Sequence, residues 1–216
     1  MTAQLVLPLE WPFRYAREDF VVGPPNAEAV GLIDAWPRWS AATLYGPSGS
    51  GKTHLAHVWA ERAGARLLEA QALAAASIAP GEALAVENVD AAPLGREAES
   101  VLFALIERGG ALLLTGLQPP SAWPAALPDL ASRFRALTAF PLWAPNDELL
   151  EALARKLFAD RQLAVPETVV TQMIRSLERS PAAIRDFVAR ADAAALARKS
   201  AVTPALIREL LAQSGS

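Results

Sequence analysis

Short apolar runs alternate with helical patterns between residues 20 and about 143. Each run is four or five residues long, which is typical of strands covered on both faces of a sheet. The segments between them repeat apolar positions every three to four residues, which predicts helices. This alternation predicts an α/β fold, a parallel sheet with helices on both faces. The predicted strands are Ala41–Tyr45, Arg66–Glu69, Leu84–Asn88, Ala111–Thr115 and Leu137–Phe140.

Residues at the ends of the helical patterns indicate where helices begin and stop. Asn26 is a suitable N-cap for a helix that runs to about Ala35. Gly64 and Gly109 are placed to end the two helices that follow the first and third strands, because glycine adopts the left-handed conformation that commonly closes a helix.

The C-terminal third contains helical patterns only. Asn146 and Thr203 stand where helices would begin, and the pattern predicts about four helices in this part. We therefore expect three parts: an irregular tail over residues 1–12, a base domain over 13–143 and an all-helical lid domain over 144–216.

Composition narrows the class of protein. The chain has 216 residues, 52% of them hydrophobic, a net charge of -3 and no cysteine. The acidic balance disfavours a protein that grips nucleic-acid phosphates, and the lack of cysteine excludes disulfides and thiolate metal sites. The N-terminus does not resemble a signal peptide, and no apolar run is long enough to span a membrane. A cytoplasmic protein without membrane contact is the expectation.

A phosphate-binding loop follows the first predicted strand and precedes a helix. Its residues match the P-loop pattern G-x-x-x-x-G-K-[ST] at every position, and the strand–loop–helix context is the expected one. The loop consists of Gly46, Pro47, Ser48, Gly49, Ser50, Gly51, Lys52 and Thr53.

The chemistry of this loop predicts binding of ATP or ADP with Mg²⁺. Backbone N–H groups and the positive end of the following helix would surround the phosphates. Lys52 would reach the outer phosphates, and the Thr53 hydroxyl would join the Mg²⁺ shell.

The third strand ends in an acidic residue, Glu87, which is a candidate to orient Mg²⁺ and its waters; a solvated carboxylate at a strand end is the alternative. Asn88 follows, and an amide cannot accept a proton. General-base catalysis, worth about 10²–10⁴-fold, should therefore be weak in this chain. Asp90 could replace that base, although nothing in the sequence aims it.

Five segments occur in an order that resembles the AAA+ domain of bacterial DnaA-type initiators, over about residues 13 to 212. The resemblance implies a AAA+ P-loop NTPase core with a five-stranded parallel sheet and a small helical lid. The segments are GPSGSGKTHLAHVW, VENVD, LLLTGLQPPSAW, LPDLASRFRAL and SPAAIRDFVARAD.

The resemblance implies roles for further residues in nucleotide binding. Thr115 would occupy the first sensor position, with Leu117 where the family often carries Asp, and Arg185 would be the second sensor, reaching the phosphates from the lid. The residues expected to flank adenine are Phe20, Val21 and Val22, for which ordinary core packing is the alternative.

Arg133 matches the arginine finger of the family, which acts on the nucleotide of a neighbouring subunit. A finger in trans can raise a partner's hydrolysis rate by about 10³–10⁵-fold. A chain that has Glu87 and Asn88 together with an intact arginine finger therefore suits one kind of protein. Such a protein makes DnaA hydrolyse ATP but hydrolyses little ATP itself.

The N-terminal hexapeptide, residues 4–9 with the sequence QLVLPL, resembles a motif that binds the sliding clamp, the beta subunit of DNA polymerase III. Leu7 and Leu9 would enter apolar pockets, and Gln4 would hydrogen-bond at the rim; a frayed tail is the alternative. The implied role is negative regulation of replication initiation. DnaA and the clamp are the expected partners, DNA is reached only indirectly, and a homodimer is compatible with the resemblance.

Two other functions fit the same pattern. A helicase-loader or transposition-helper ATPase would share the fold, but Asn88 and the acidic pI speak against it. A small P-loop kinase would carry its arginine-rich lid inside the main domain rather than in a C-terminal block.

His54 and His57 lie one turn apart after the P-loop, and packing explains them better than metal binding does.

Overall fold

The computed structural model describes residues 15–214, and its strands all lie in one parallel sheet, as the sequence predicts. The strands are β1 (Ala41–Tyr45), β2 (Arg66–Glu69), β3 (Leu84–Glu87), β4 (Leu112–Gly116) and β5 (Ala139–Pro141). Their spatial order is β2-β3-β4-β1-β5. The edge strand β5 begins two residues later than predicted, because the preceding helix closes with a hydrogen bond from the Leu137 N–H to the Phe134 carbonyl.

Eight helices of eight residues or more connect and follow these strands within residues 15–214. The base carries α1 (Ala27–Asp34), α2 (Lys52–Ala63), α3 (Arg96–Arg108) and α4 (Pro128–Ala136); the C-terminal part carries α5 (Asp147–Asp160), α6 (Glu167–Ser176), α7 (Pro181–Arg198) and α8 (Pro204–Ser214). Short 3-10 turns lie at Arg17–Asp19, Ala70–Ala75 and Pro120–Ala122.

Alternate residues of β4 place hydrophobic side chains on opposite faces of the sheet. Leu113 packs with α1 and α2 on one face, whereas Leu112 and Leu114 pack with α3 and α4 on the other. Successive side chains of a strand point to opposite faces, so an unbroken apolar run is what a doubly covered strand requires. The prediction of helices on both faces is confirmed.

The helix boundaries follow the expected chemistry with one difference. Gly64 ends α2 in the left-handed conformation, with φ 62°, and the Asn146 side chain caps α5 by accepting from the Leu149 N–H at 3.0 Å. Asn26 stands at the start of α1, but its side chain makes no cap. It bonds instead to the chain just before it, which shapes the candidate site described below.

The C-terminal helices α5 to α8 have a hydrophobic cluster of their own, which begins with Leu150 and includes the buried rings of Phe158 and Phe187. Leu142 belongs to the cluster of the sheet. The two sets of core residues therefore separate between residues 142 and 150, a stretch that includes the predicted boundary after residue 143.

A buried acid joins α3 to the segment that leads into α4. The Glu99 side chain is 2% exposed, and its two carboxylate oxygens accept from the Ala126 and Leu127 N–H groups at 2.7 and 2.8 Å. Nothing in the helical pattern marks Glu99 as buried, since glutamate on a helix is usually solvated. This contact sets the entry into α4, the helix that carries Arg133.

We predict that Glu99→Ala lowers the free energy of unfolding by about 2–3 kcal/mol, because two backbone donors lose their acceptor. Glu99→Gln should cost less, since its side-chain carbonyl still accepts from one of them. Urea denaturation measures both, with Glu97→Gln as the control at an exposed position of the same helix. Equal stability of the Ala variant and the control would contradict this role.

Candidate nucleotide-binding site

A cavity of about 320 Å³ opens at the carboxyl end of β1, between the P-loop and the C-terminal helices. In an open α/β sheet, this end of the strands is where ligands bind. Its walls come from three parts of the chain: the segment before α1, the loop residues and strand ends of the sheet, and the helices α5 and α7. The lining residues are Tyr15, Asp19, Phe20, Val21, Asn26, Ser48, Gly49, Ser50, Gly51, Lys52, Thr53, His54, Asn88, Leu117, Pro145, Leu149, Leu150, Leu153, Pro181 and Arg185.

Close contacts require glycine at two positions of the P-loop. At Gly46, whose φ is 151°, a Cβ would stand 2.0 Å from the Leu142 carbonyl oxygen. At Gly51, whose φ is 105°, a Cβ would stand 2.8 Å from the Phe20 ring. The first contact holds the loop against the end of β5 and the second holds it against the segment before α1, so both need the missing side chain.

The Lys52 ammonium is held inside the loop. Its Nζ donates to the carbonyls of Gly46 and Pro47 at 2.7 and 2.9 Å. Burial lowers the pKa of Lys52 from its ordinary value, and the carboxylates of Asp90 and Glu87 oppose that shift. A phosphate in the cavity would add negative charge beside a cation that has lost much of its water.

Glu87 lies behind the cavity wall. Its side chain is buried, and its Oε1 atom has no hydrogen-bond partner among the described residues. An orphaned buried carboxylate oxygen suits a Mg²⁺ ion and its waters, because Mg²⁺ is usually held by one or two carboxylates together with nucleotide phosphates. No cluster of three acidic or histidine side chains suited to a metal occurs within residues 15–214. Thr53 lines the cavity and is exposed.

Asn88 lines the cavity in a left-handed conformation, with φ 58°, which Asn tolerates better than most residues. Its backbone N–H donates to the Thr115 hydroxyl at 3.1 Å. Thr115 is 1% exposed and is not among the lining residues, so it acts on the site by holding Asn88 in place.

Asp90 does not face the cavity as a free base. Its carboxylate accepts from the Leu117 N–H at 2.8 and 3.0 Å and from the Gln118 N–H at 2.8 Å. The acid therefore braces the loop after β4, and this fixes Leu117, whose partly exposed side chain lines the cavity.

The three residues expected beside adenine divide into two groups. Phe20 and Val21 line the cavity, whereas Val22 does not and is 48% exposed. Asn26 holds this segment: its Oδ1 accepts from the Gly23 N–H at 2.9 Å and its Nδ2 donates to the Val21 carbonyl at 3.0 Å. These two bonds replace the helix cap predicted from the sequence, because the nearby backbone groups compete for the same amide.

Two histidines of α2 contact the chain segment that precedes α1. The Tyr15 ring stacks on His57, with centroids 4.0 Å apart, and meets the edge of His54. His54 Nε2 lies 2.9 Å from the Ala16 carbonyl oxygen, and burial is the main cause that lowers the pKa of His54. The sequence indicates packing for this pair, and the structure adds that Tyr15 and His54 also line the cavity, which local patterns do not signal.

Arg185 reaches the cavity from α7, a helix that begins beside the P-loop, since a Cβ at Gly49 would stand 3.9 Å from the Ser180 Cβ. Ser180 caps that helix by accepting from the Ala183 N–H at 3.1 Å, and this cap fixes the first turn, which directly precedes Arg185. The guanidinium is partly buried, and burial lowers the pKa of Arg185. Its charge therefore faces the same space as Lys52.

Arg133 is absent from the described residues that line the cavity. It lies on α4, which packs against α3, and its Nε forms an ion pair with Glu107 Oε1 at 2.5 Å. Both side chains are almost half exposed, at 49% and 40%. Gln4, Leu7 and Leu9 lie outside the described residues.

Solved structures share the fold of this chain. Domain III of the replication initiation protein DnaA from Thermotoga maritima superposes with a TM-score of 0.73 at 19% identity, covering 92% of this chain and 96% of that chain. RuvB from Thermotoga maritima, a Holliday junction branch migration motor, gives 0.68 at 15%, covering 92% and 71%. A DnaA initiator bound to AMPPCP and single-stranded DNA gives 0.67 at 17%, covering 81% and 63%.

No protein-family model matches the sequence, and no curated protein matches it either. The structural likeness and the five-stranded parallel sheet define the class of fold: this chain has an α/β fold that matches the AAA+ domains of DnaA and RuvB. Within residues 15–214, no helix has both the length and the apolar content to cross a membrane.

We predict that Lys52→Ala lowers the affinity for ADP at least about 100-fold, because it removes the buried cation nearest the loop; charge-assisted bonds of this kind contribute about 1.5–3 kcal/mol each. Isothermal titration calorimetry gives the dissociation constant. Lys199→Asn is the matched control, since it removes a distant lysine charge at a left-handed position that Asn tolerates. An unchanged affinity in Lys52→Ala would remove the nucleotide assignment.

Proposed function

We propose that this protein binds ADP or ATP with Mg²⁺ and acts as a negative regulator of replication initiation, in the manner of Hda, the DnaA-related regulatory inactivator of DnaA. It would dock on the DNA-loaded sliding clamp and stimulate ATP hydrolysis by DnaA. One observation carries the proposal: Lys52 and Arg185 face one cavity, whereas Arg133 stands outside it on a different helix.

The nucleotide part rests on the chemistry of the cavity walls. The P-loop amides and Lys52 are suited to phosphates, Phe20 and Val21 are suited to the flat apolar base, and Arg185 adds a cation from α7. The solved DnaA structures with AMPPCP bound have the same fold, which supports this assignment.

Mg²⁺ bound with the nucleotide would neutralise charge on its phosphates. In this chain, Thr53 and Glu87 are the residues that would hold it, the first through its hydroxyl and the second through the buried carboxylate with an unpaired oxygen. Because Asn88 accepts no proton and Asp90 is engaged by the loop after β4, hydrolysis in this protein should be slow.

The action on DnaA is assigned to Arg133. A guanidinium on an exposed helix is free to reach a phosphate held by another molecule, and its planar fork matches two phosphate oxygens. An exposed ion pair contributes about 0–1 kcal/mol, so exchanging Glu107 for a phosphate costs little. The same exposure supports a finger in trans rather than a residue of its own cavity.

Docking on the clamp is assigned to the tail, residues 1–12, on the basis of its sequence. Leu7 and Leu9 would anchor it in apolar pockets, with Gln4 at the rim. In this proposal residues 13–143 form the nucleotide-binding base and residues 144–216 form the lid. The protein would act in the cytoplasm, reach DNA only indirectly and pair with DnaA, and a homodimer is compatible with this proposal.

The similarity to RuvB supports a second candidate, a AAA+ motor or helicase loader. Such a protein needs vigorous hydrolysis of its own, which Asn88 disfavours. Turnover by the purified protein alone separates the two: a rate typical of enzymes, about 1–10³ s⁻¹, would favour the motor.

We predict that Gln4→Ala combined with Leu7→Ala abolishes binding to the clamp and leaves ADP affinity unchanged. The reason is that the anchor side chains are lost, whereas the residues that line the nucleotide cavity are intact. Gel filtration with purified clamp is the measurement, and Thr2→Ala serves as the control in the same tail. Co-elution of the double variant with the clamp would show that the anchor lies elsewhere.

We predict that Arg133→Ala keeps its fold, its ADP affinity and its clamp binding, yet fails to accelerate hydrolysis of DnaA-bound ATP; the expected loss is about 10³-fold or more. Arg133→Lys should rescue poorly, because a point charge does not reproduce the planar fork. Single-turnover hydrolysis by DnaA with DNA-loaded clamp is the assay.

Arg135→Ala is the matched control for that assay, since Arg135 is an exposed arginine two residues away on α4. It should stimulate DnaA as the unmodified protein does. Full stimulation by Arg133→Ala would exclude the finger. Loss of ADP binding in Arg133→Ala would mean that Arg133 serves its own cavity.

A further inference from the structure

We propose that Glu69 is a positioning residue for the water that attacks ATP. Its carboxylate holds the Asn88 amide so that the carbonyl end of that amide, and not its NH₂ end, is left for the nucleotide cavity. The inference rests on the proposed binding of ATP in this cavity, and it adds a residue that is not among the described cavity-lining residues.

The sheet brings the two side chains together. In the parallel pairing of β2 with β3, Glu69 is the register partner of Glu87, so it stands at the same carboxyl edge of the sheet. Asn88 is the next residue after Glu87. Its Nδ2 lies 3.0 and 3.3 Å from the two carboxylate oxygens of Glu69.

The chemistry of the partner decides which way the amide points. A carboxylate accepts hydrogen bonds and donates none, so the NH₂ group of Asn88 must face Glu69. The charge on Glu69 strengthens that bond. The Asn88 backbone is held as well, since its N–H donates to the Thr115 hydroxyl. Both ends of the residue are therefore fixed before a nucleotide enters.

The remaining group of the amide, Oδ1, is an acceptor that can orient a water molecule, as a glutamine side chain does in GTPases. In hydrolysis the water oxygen bonds to the γ-phosphorus, and the bond from that phosphorus to the β–γ bridging oxygen breaks. ADP leaves with that electron pair, and the water proton passes to a phosphate oxygen, since Asn88 cannot take it. Asn88 thus supplies orientation without a base.

The pair of Glu69 and Asn88 is also unsuited to a carboxylate at position 88 as long as Glu69 is retained. Two carboxylates about 3 Å apart repel each other, so a carboxylate at position 88 would lose the hydrogen bond to Glu69. Exchanging the two chemistries, with the amide on β2 and the carboxylate beside the cavity, would keep the hydrogen bond and turn the cavity residue into a base.

Isosteric substitutions test this as a cycle: Glu69→Gln, Asn88→Asp and the double variant E69Q/N88D. We expect Glu69→Gln to lower the single-turnover rate of ATP hydrolysis about two- to fivefold, because an amide partner no longer selects one orientation. Asn88→Asp alone should lower the rate, because the Glu69 carboxylate repels the new one and the water loses its fixed acceptor, whereas the double variant should exceed the unmodified protein about tenfold or more. KM for ATP should stay the same in all three.

Glu97→Gln, an exposed change on α3, is the control and should leave the rate unchanged. A rate for Asn88→Asp equal to that of the double variant would overturn the role of Glu69, and so would a double variant that binds ADP but gains nothing. Calorimetry with ADP is run on every protein, because failure of the unmodified chain to bind ADP would refute the proposed nucleotide function itself.

Discussion

The Lys52 ammonium, largely withdrawn from water, is the constraint around which the site is arranged. A buried cation requires compensation, and here it receives two loop carbonyls and the field of two strand-end carboxylates, Glu87 and Asp90. The carbonyls can only be reached because Gly46 lies against the Leu142 carbonyl and lets the loop close on the lysine. Glycine, lysine and acids are therefore interdependent, and the proposed phosphate ligand would suit this balance of charge.

The parallel sheet places the polar residues that surround this cation. Glu69 and Glu87 end β2 and β3, Thr115 lies one residue before the end of β4, and parallel strands bring such ends to one edge. Each residue then has a different task because its surroundings differ. Glu87 is buried with an unpaired oxygen, Thr115 accepts from a backbone N–H, and Glu69 remains exposed and holds an amide. In the proposed function, Glu87 would thus serve the binding of the metal-nucleotide, and Glu69 would serve its hydrolysis through Asn88.

Local sequence patterns predicted the strands, the P-loop and the caps at Gly64 and Asn146, because each depends on residues within a few positions of one another. Contacts between distant segments were not predictable in this way. The bond from Asp90 to the Leu117 N–H joins residues 27 apart, and only the pairing of β3 with β4 brings them together. Asn26 was placed correctly at a helix start, but its amide bonds to Val21 and Gly23 because two backbone groups within reach competed with the cap.

Arg185 and Arg133 differ in burial, and this difference underlies the proposal that the first serves its own cavity and the second a partner. Arg185 is partly buried and shares its cavity with Lys52, so its charge is best compensated by a phosphate in that cavity. Arg133 has a carboxylate partner, Glu107, and both remain in contact with water. An exposed pair is exchanged at little cost, and the helix that carries it is anchored from below by Glu99. To act on a nucleotide held by another protein, a residue needs a firmly anchored helix and a side chain that can exchange its partner.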